Sequence, residues 1–134
     1  MTYCYDALPT QPGVCATSFT AGFVDRETEV YSTASRTDYL TFDDFGRALT
    51  SQQVTGSVAP GTFTYTYTAQ GALCSIQYPS GRTITYSFDP GSGRVTKVAG
   101  ASFAYATMPI TNTSAYWANG TVQQMTEYSG EAER

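Results

Sequence analysis

Two stretches of this chain alternate strictly between polar and apolar residues. Thr62 to Tyr67, "TFTYTY", puts Phe63, Tyr65 and Tyr67 on one side and threonines on the other. Arg82 to Phe88, "RTITYSF", does the same with Ile84, Tyr86 and Phe88. A period of two predicts a β-strand with one buried face, because successive side chains leave a pleated strand in opposite directions. The breaks between such stretches carry turn chemistry. In "YPSG" Pro79 presets φ for the first corner and Gly81 closes the turn. In "DDFG" Asp43 can accept an N–H two residues on and Gly46 can take a positive φ. That is the three-residue hairpin recipe, a type I turn followed by a left-handed glycine. "AQG" (Ala69 to Gly71) and "DPGSG" (Asp89 to Gly93, with one extra residue) are relatives, and Asn119-Gly120 reads as a two-residue hairpin turn.

Composition agrees. Only 13% of the 134 residues are charged and 14% are aromatic, with 11 tyrosines. Thr and Tyr suit a pleated, half-buried surface, and strong helix formers are scarce, so the fold class is all-β. The length suits one domain with a modest core.

The turns recur at intervals of about 20 to 25 residues, a range typical of repeat architectures. Phe42, Tyr67 and Phe88 each end an alternating stretch, and Gly46, Gly71 and Gly93 come soon after. After Gly71 and Gly93 come Leu73 and Ile76, and Val95 and Val98, at matching offsets. Ala48 and Ser51 hold those offsets after Gly46. Apolar positions three apart do not suit a flat strand; they suit one that is twisted or bulged just past its turn. The N-terminal third is less regular. Residues 7–28 read as mostly loop, interrupted by Pro9, Pro12, Gly13 and Gly22. "DRETE" (Asp25 to Glu29) and "GEAER" (Gly130 to Arg134) read as solvated loop and tail.

These residues resemble a family. "YLTFDDFGRALTSQ", "YTYTAQGALCSIQYPSGRTITYSFDPGSGRVTKV" and "YCYDALP" resemble the YD repeats of Rhs-type proteins. Tyr5-Asp6, Phe42-Asp43 and Phe88-Asp89 stand at the Tyr-Asp position of that pattern, and Gly46-Arg47 and Gly93-Arg94 at Gly-Arg. The middle copy departs, with Tyr67-Thr68 and Gly71-Ala72. The resemblance implies a segment of a β-spiral shell, in which successive antiparallel hairpins form a twisted, curved sheet around a toxin domain, or build part of an adhesion protein. It divides the chain into a degenerate first repeat with a Pro/Gly-rich loop (1–37), a core of about three repeats (38–100), further hairpins (101–128) and a polar tail (129–134). With so few repeats the chain reads as a piece of something longer. The partners implied are other YD repeats, met through open strand edges, and a toxin or effector domain. The family's setting is secreted or cell-surface, and "MTYCYDALPT" lacks the basic and apolar regions of a secretory signal.

Catalytic chemistry is not legible. The chain has no histidine, which excludes Ser-His-Asp and Cys-His arrangements. Asp43-Asp44 is a turn cap with a solvated neighbour, and Cys74 has no base in view to activate it. No cofactor or metal is expected, since the three cysteines fit no zinc pattern. Cys4 and Cys15 flank the Pro/Gly loop, where a bridge is sterically conceivable. A net charge of −4 argues against nucleic acid, and no apolar run reaches the ~18 residues of a membrane span. Two Asn-x-Ser/Thr sites, at Asn112 and Asn119, carry little weight in a Thr-rich chain. Arg47 and Arg94 could reach back to Asp43 and Asp89 and clip their turns. The rival to a scaffold is a carbohydrate-binding or adhesion module, with Tyr65, Tyr67, Tyr86, Tyr116 and Trp117 as its aromatic surface.

Overall fold

A computed structural model describes residues 1–18, 20–58, 60–100, 104–107, 116–124 and 126–127. The protein is all-β. Its strands are β1 (Thr2–Tyr5), β2 (Glu27–Tyr31), β3 (Ser35–Phe42), β4 (Ala48–Thr55), β5 (Gly61–Tyr67), β6 (Leu73–Gln77), β7 (Thr83–Phe88), β8 (Val95–Ala99), β9 (Ala104–Thr107) and β10 (Thr126–Glu127). Within each of the chain's two units, strands adjacent in the chain are antiparallel neighbours in the sheet. The two alternating stretches become β5 and β7. In β5 Phe63, Tyr65 and Tyr67 are half-buried while Thr62 and Thr66 are exposed; in β7 Ile84, Tyr86 and Phe88 are half-buried while Thr85 and Ser87 are exposed.

The chain separates into two compact units, Met1–Thr66 with Tyr78–Ser80, and Tyr67–Gln77 with Gly81–Arg134. In the first, β1 to β4 pair in antiparallel succession and β4 continues onto β5. Among the described residues its buried ones are Cys4, Ala7, Thr28, Glu29, Asp38 and Ser51, a mostly polar set. A disulfide joins Cys4 to Cys15 and ties the Pro/Gly loop to β1. In the second unit β6, β7, β8, β9 and β10 pair in turn. Tyr116 is its buried centre, with Val95 and Val98 packed on it. Among the described residues the buried apolar side chains are Cys4, Ala7 and Tyr116.

Two sequence expectations are corrected here. "DRETE" is not a solvated loop: Glu27 to Glu29 open β2, and Thr28 and Glu29 are 0% and 2% exposed. Their polar atoms have partners, which is what allows such residues to be buried. Asn119-Gly120 does not form a two-residue turn. Gly120 N donates to Trp117 O and Trp117 N to Thr121 O, giving the three-residue loop with a left-handed glycine at φ +88°. Asn112 and the tail from Gly130 lie outside the described residues.

Candidate functional site

The turn expected around Asp43 is one of a series. Asp43 N donates to Arg47 O at 3.0 Å and Gly46 N to Asp43 O at 2.9 Å, with Gly46 at φ +80°. Thr68, Gly71 and Ala72 repeat both bonds at 2.8 and 2.9 Å, and Trp117, Gly120 and Thr121 do so at the same two distances. Around Asp89 the bonds to Arg94 and from Gly93 close at 2.8 Å over one extra residue. The first copy is interrupted. Asp6 N donates to Arg26 O at 3.0 Å, as Asp43 does to Arg47, but residues 7–24 intervene, and Asp25 takes the left-handed position at φ +58°. Tyr116-Trp117 and Asp25-Arg26 are therefore repeat positions that the sequence pattern did not disclose.

The strands leaving these turns share an irregularity as well. Phe42 pairs with Ala48 and Thr41 with Thr50, so Leu49 is an extra residue in its strand. Phe88 pairs with Val95 and Ser87 with Lys97, leaving Thr96 extra; Tyr5 pairs with Glu27 and Cys4 with Glu29, leaving Thr28 extra. One extra residue shifts side-chain parity, so positions three apart land on one face. That is why Val95 and Val98 both reach Tyr116. At the Val98 position of the earlier copy stands Ser51, buried at 3%, whose hydroxyl lies 2.9 Å from Tyr65 Oη.

The two Asp-Arg clips have different fates. Asp43 Oδ1 accepts Phe45 N and Arg47 N, and Oδ2 lies 2.6 Å from Arg47 Nε. Desolvation pushes that carboxyl up, but the hydrogen bonds and charge of Arg47 outweigh it and hold it below the ordinary range. Asp89 is instead satisfied by Ser92, whose Oγ and N donate to Oδ2 at 2.6 and 2.7 Å, and these bonds lower its pKa. The expected Arg94–Asp89 pair is not among the ion pairs of the described residues; the Arg94 guanidinium lies 5.2 Å from the Tyr116 ring centroid. The extra residue in this turn brings Ser92 to the carboxylate first. Where Asp is missing, other groups stand in. Thr68 Oγ1 accepts Ala72 N at 3.1 Å, and Asn119 Oδ1 accepts Thr121 N at 3.1 Å. Pro79 and Gly81 lie in the β6–β7 connection, where Gly81 has φ +82°.

A second cluster was missed in the sequence. Register pairs Glu29 on β2 with Asp38 on β3, and Arg36 lies two residues from Asp38 on the same face. Arg36 Nε is 2.9 Å from Asp38 Oδ2 and 3.8 Å from Glu29 Oε2; its N–H is not aimed at either oxygen, so the contact is an ion pair rather than a hydrogen bond. Glu29 Oε1 accepts Gly13 N at 2.8 Å, and Thr28 Oγ1 donates to Ala7 O at 2.8 Å. Together with the disulfide these bonds hold the loop of residues 7–24 on the sheet, around a cavity of 240 Å³ lined by Leu8, Pro12, Glu29, Arg36 and Asp38. One guanidinium between two carboxylates makes this an anchor for the loop. Among the described residues no three His, Cys, Asp or Glu side chains converge as a metal site.

The aromatic candidates are treated unequally. Tyr65, Tyr67 and Tyr86 are half-buried. Tyr116 is 9% exposed and donates its hydroxyl to Val95 O at 2.6 Å, whereas Trp117 is 57% exposed. No protein-family model and no curated protein matches this chain.

Proposed function

We propose that this chain is a structural scaffold, a YD-repeat segment that contributes β-hairpins to a larger shell enclosing or displaying a toxin or adhesion domain. The observation that carries this reading is the recurrence of one turn-and-bulge unit along the chain, in copies whose sequences differ while their hydrogen bonds agree. The scarcity of buried apolar side chains among the described residues supports it as well. A hairpin cannot bury its own apolar face, so units of this kind gain stability from neighbours on either side. The partners expected are further repeats, added at the edge strands β1 and β10.

The solution mass, measured by light scattering over a range of concentrations beside far-UV circular dichroism, tests this. The scaffold reading expects a sheet-rich chain whose mass rises with concentration as edges pair. A compact monomer at every concentration would contradict it, and would favour a self-contained binding module. In that reading the exposed ring of Trp117 is the residue to watch, since soluble glycans would then quench its fluorescence.

A further inference from the structure

The repeat units do not pack alike at equivalent positions, and the difference outlines a site. Within the first unit, Arg26 stands at the Arg position of its turn, and its guanidinium occupies the space that a Cβ on Gly46 of the next turn would take. Phe42, which precedes the Asp43 turn, meets Phe23 edge to face with ring centroids 5.5 Å apart. Within the second unit, Arg94 reaches forward in the same sense, onto the Tyr116 ring of the turn after its own. Arg26 and Arg94 thus pack on the glycine or the aromatic of the next turn, whereas Arg47 also lies on Asp43 and Phe45 of its own.

At Ala72 that arginine is missing. The turn it would serve is the one around Asp89, also in the second unit. There the space off Gly93, the counterpart of Gly46, is open to at least 4 Å. A cavity of 470 Å³ lies beside it, lined by Thr68, Ala72, Phe88, Asp89, Ser92 and Gly93. Its lining includes Phe88, Gly93 and Asp89, whose carboxylate accepts Ser92 N and Oγ but has no ion pair among the described residues. A flat cation suits all three, because a guanidinium stacks on rings and bonds carboxylates through a planar fork.

We propose that this cavity is a binding site for a guanidinium group, and that its occupant is an arginine side chain of a partner polypeptide, taking the place that Ala72 leaves unfilled. The commitment to arginine rests on the chain's own precedent at Gly46, and does not depend on the scaffold reading. Lysine would satisfy the carboxylate but not the plane of the ring, and its stronger hydration opposes entry.

The test is a titration of the ¹⁵N-labelled chain, monitoring the amides of Ala72, Ser92 and Gly93. The probes are a capped Ala-Arg-Ala peptide, its lysine and citrulline counterparts, and guanidinium chloride at matched ionic strength. The expected result is a saturable shift of those amides with the arginine peptide, with affinity about tenfold weaker for lysine and citrulline. Ala72→Arg fills the site from within, so it should abolish the response and move the same amides without ligand. Asp89→Asn should weaken binding about tenfold, and serves if the first variant does not fold. No saturable shift, an equal response to lysine, or unchanged binding to Ala72→Arg would overturn the proposal. Binding of guanidinium ion as tight as that of the peptide would overturn the polypeptide as the occupant.

Discussion

Gly46 and Gly93 hold the same place in two turns, with φ +80° and +67°, yet they answer to different constraints. Any Cβ at either position meets the strain of a left-handed backbone, about 1–2 kcal/mol. At Gly46 it must also displace the Arg26 guanidinium, whereas at Gly93 it enters open space. Gly46→Ala is therefore expected to lower stability by more than Gly93→Ala, and urea unfolding of the two variants measures the difference; equal losses would show that Arg26 moves aside freely. The turn aspartates add a pH dependence. Asp43 and Asp89 are both held below the ordinary carboxylate range in the folded chain, so the unfolded chain binds more protons. Their contribution is full above the unfolded pKa and is lost as pH falls through the folded one. The Phe45, Arg47 and Ser92 amides, which donate to these carboxylates, should titrate with midpoints below the ordinary aspartate range. Midpoints at the ordinary value would refute the assignment. At this scale the sequence was legible where a residue type fixes a conformation, as at Gly46, Gly71 and Gly93. It was opaque at Asp25, because a left-handed aspartate carries no mark that sets it apart from a solvated one.

Between elements, the first hairpin is held by groups that meet only through register. Glu29, Arg36 and Asp38 come from β2 and β3, and no spacing along the chain announces them. Taking Arg36 away leaves two carboxylates facing each other, one of them 2% exposed. Arg36→Met should therefore cost about 3 kcal/mol, read from the midpoint of chemical unfolding. A change under about 0.5 kcal/mol would mean the cluster is effectively solvated. Reduction of Cys4–Cys15, eleven residues apart in sequence, should cost about 2–3 kcal/mol, checked by the same measurement with and without a dithiol. The bulges were legible in part. The spacing of Val95 and Val98 pointed to one, but only the pairing identifies Thr96 as the extra residue. The two-residue connection at Thr33-Ala34 was hidden for a different reason. It has no glycine, and is closed by the hydroxyl of Ser32 bonding Ser35 N and O at 3.0 Å.

For the whole molecule, one structural unit is written in several sequences. Asp43, Thr68, Asp89 and Trp117 begin turns of one hydrogen-bonding pattern, and Asp6 begins a fifth across the insertion. The sequence showed the copies in which glycine and an acidic or threonine cap coincide; it hid the Trp117 copy, where Asn119 caps from within the loop. A scaffold assembled from such units needs every copy to be formed, because each strand pair is a neighbour to the next. Amide hydrogen exchange on the labelled chain tests this most directly. The account predicts that the amides of Asp6, Asp43, Thr68, Asp89 and Trp117, each bonded across its turn, exchange slowly while the exposed loop amides Asp44, Ala69 and Ala118 exchange fast. Exchange of Asp6 and Trp117 at the rate of the loop amides would contradict it, by removing the two copies that extend the repeat beyond what the sequence pattern alone disclosed.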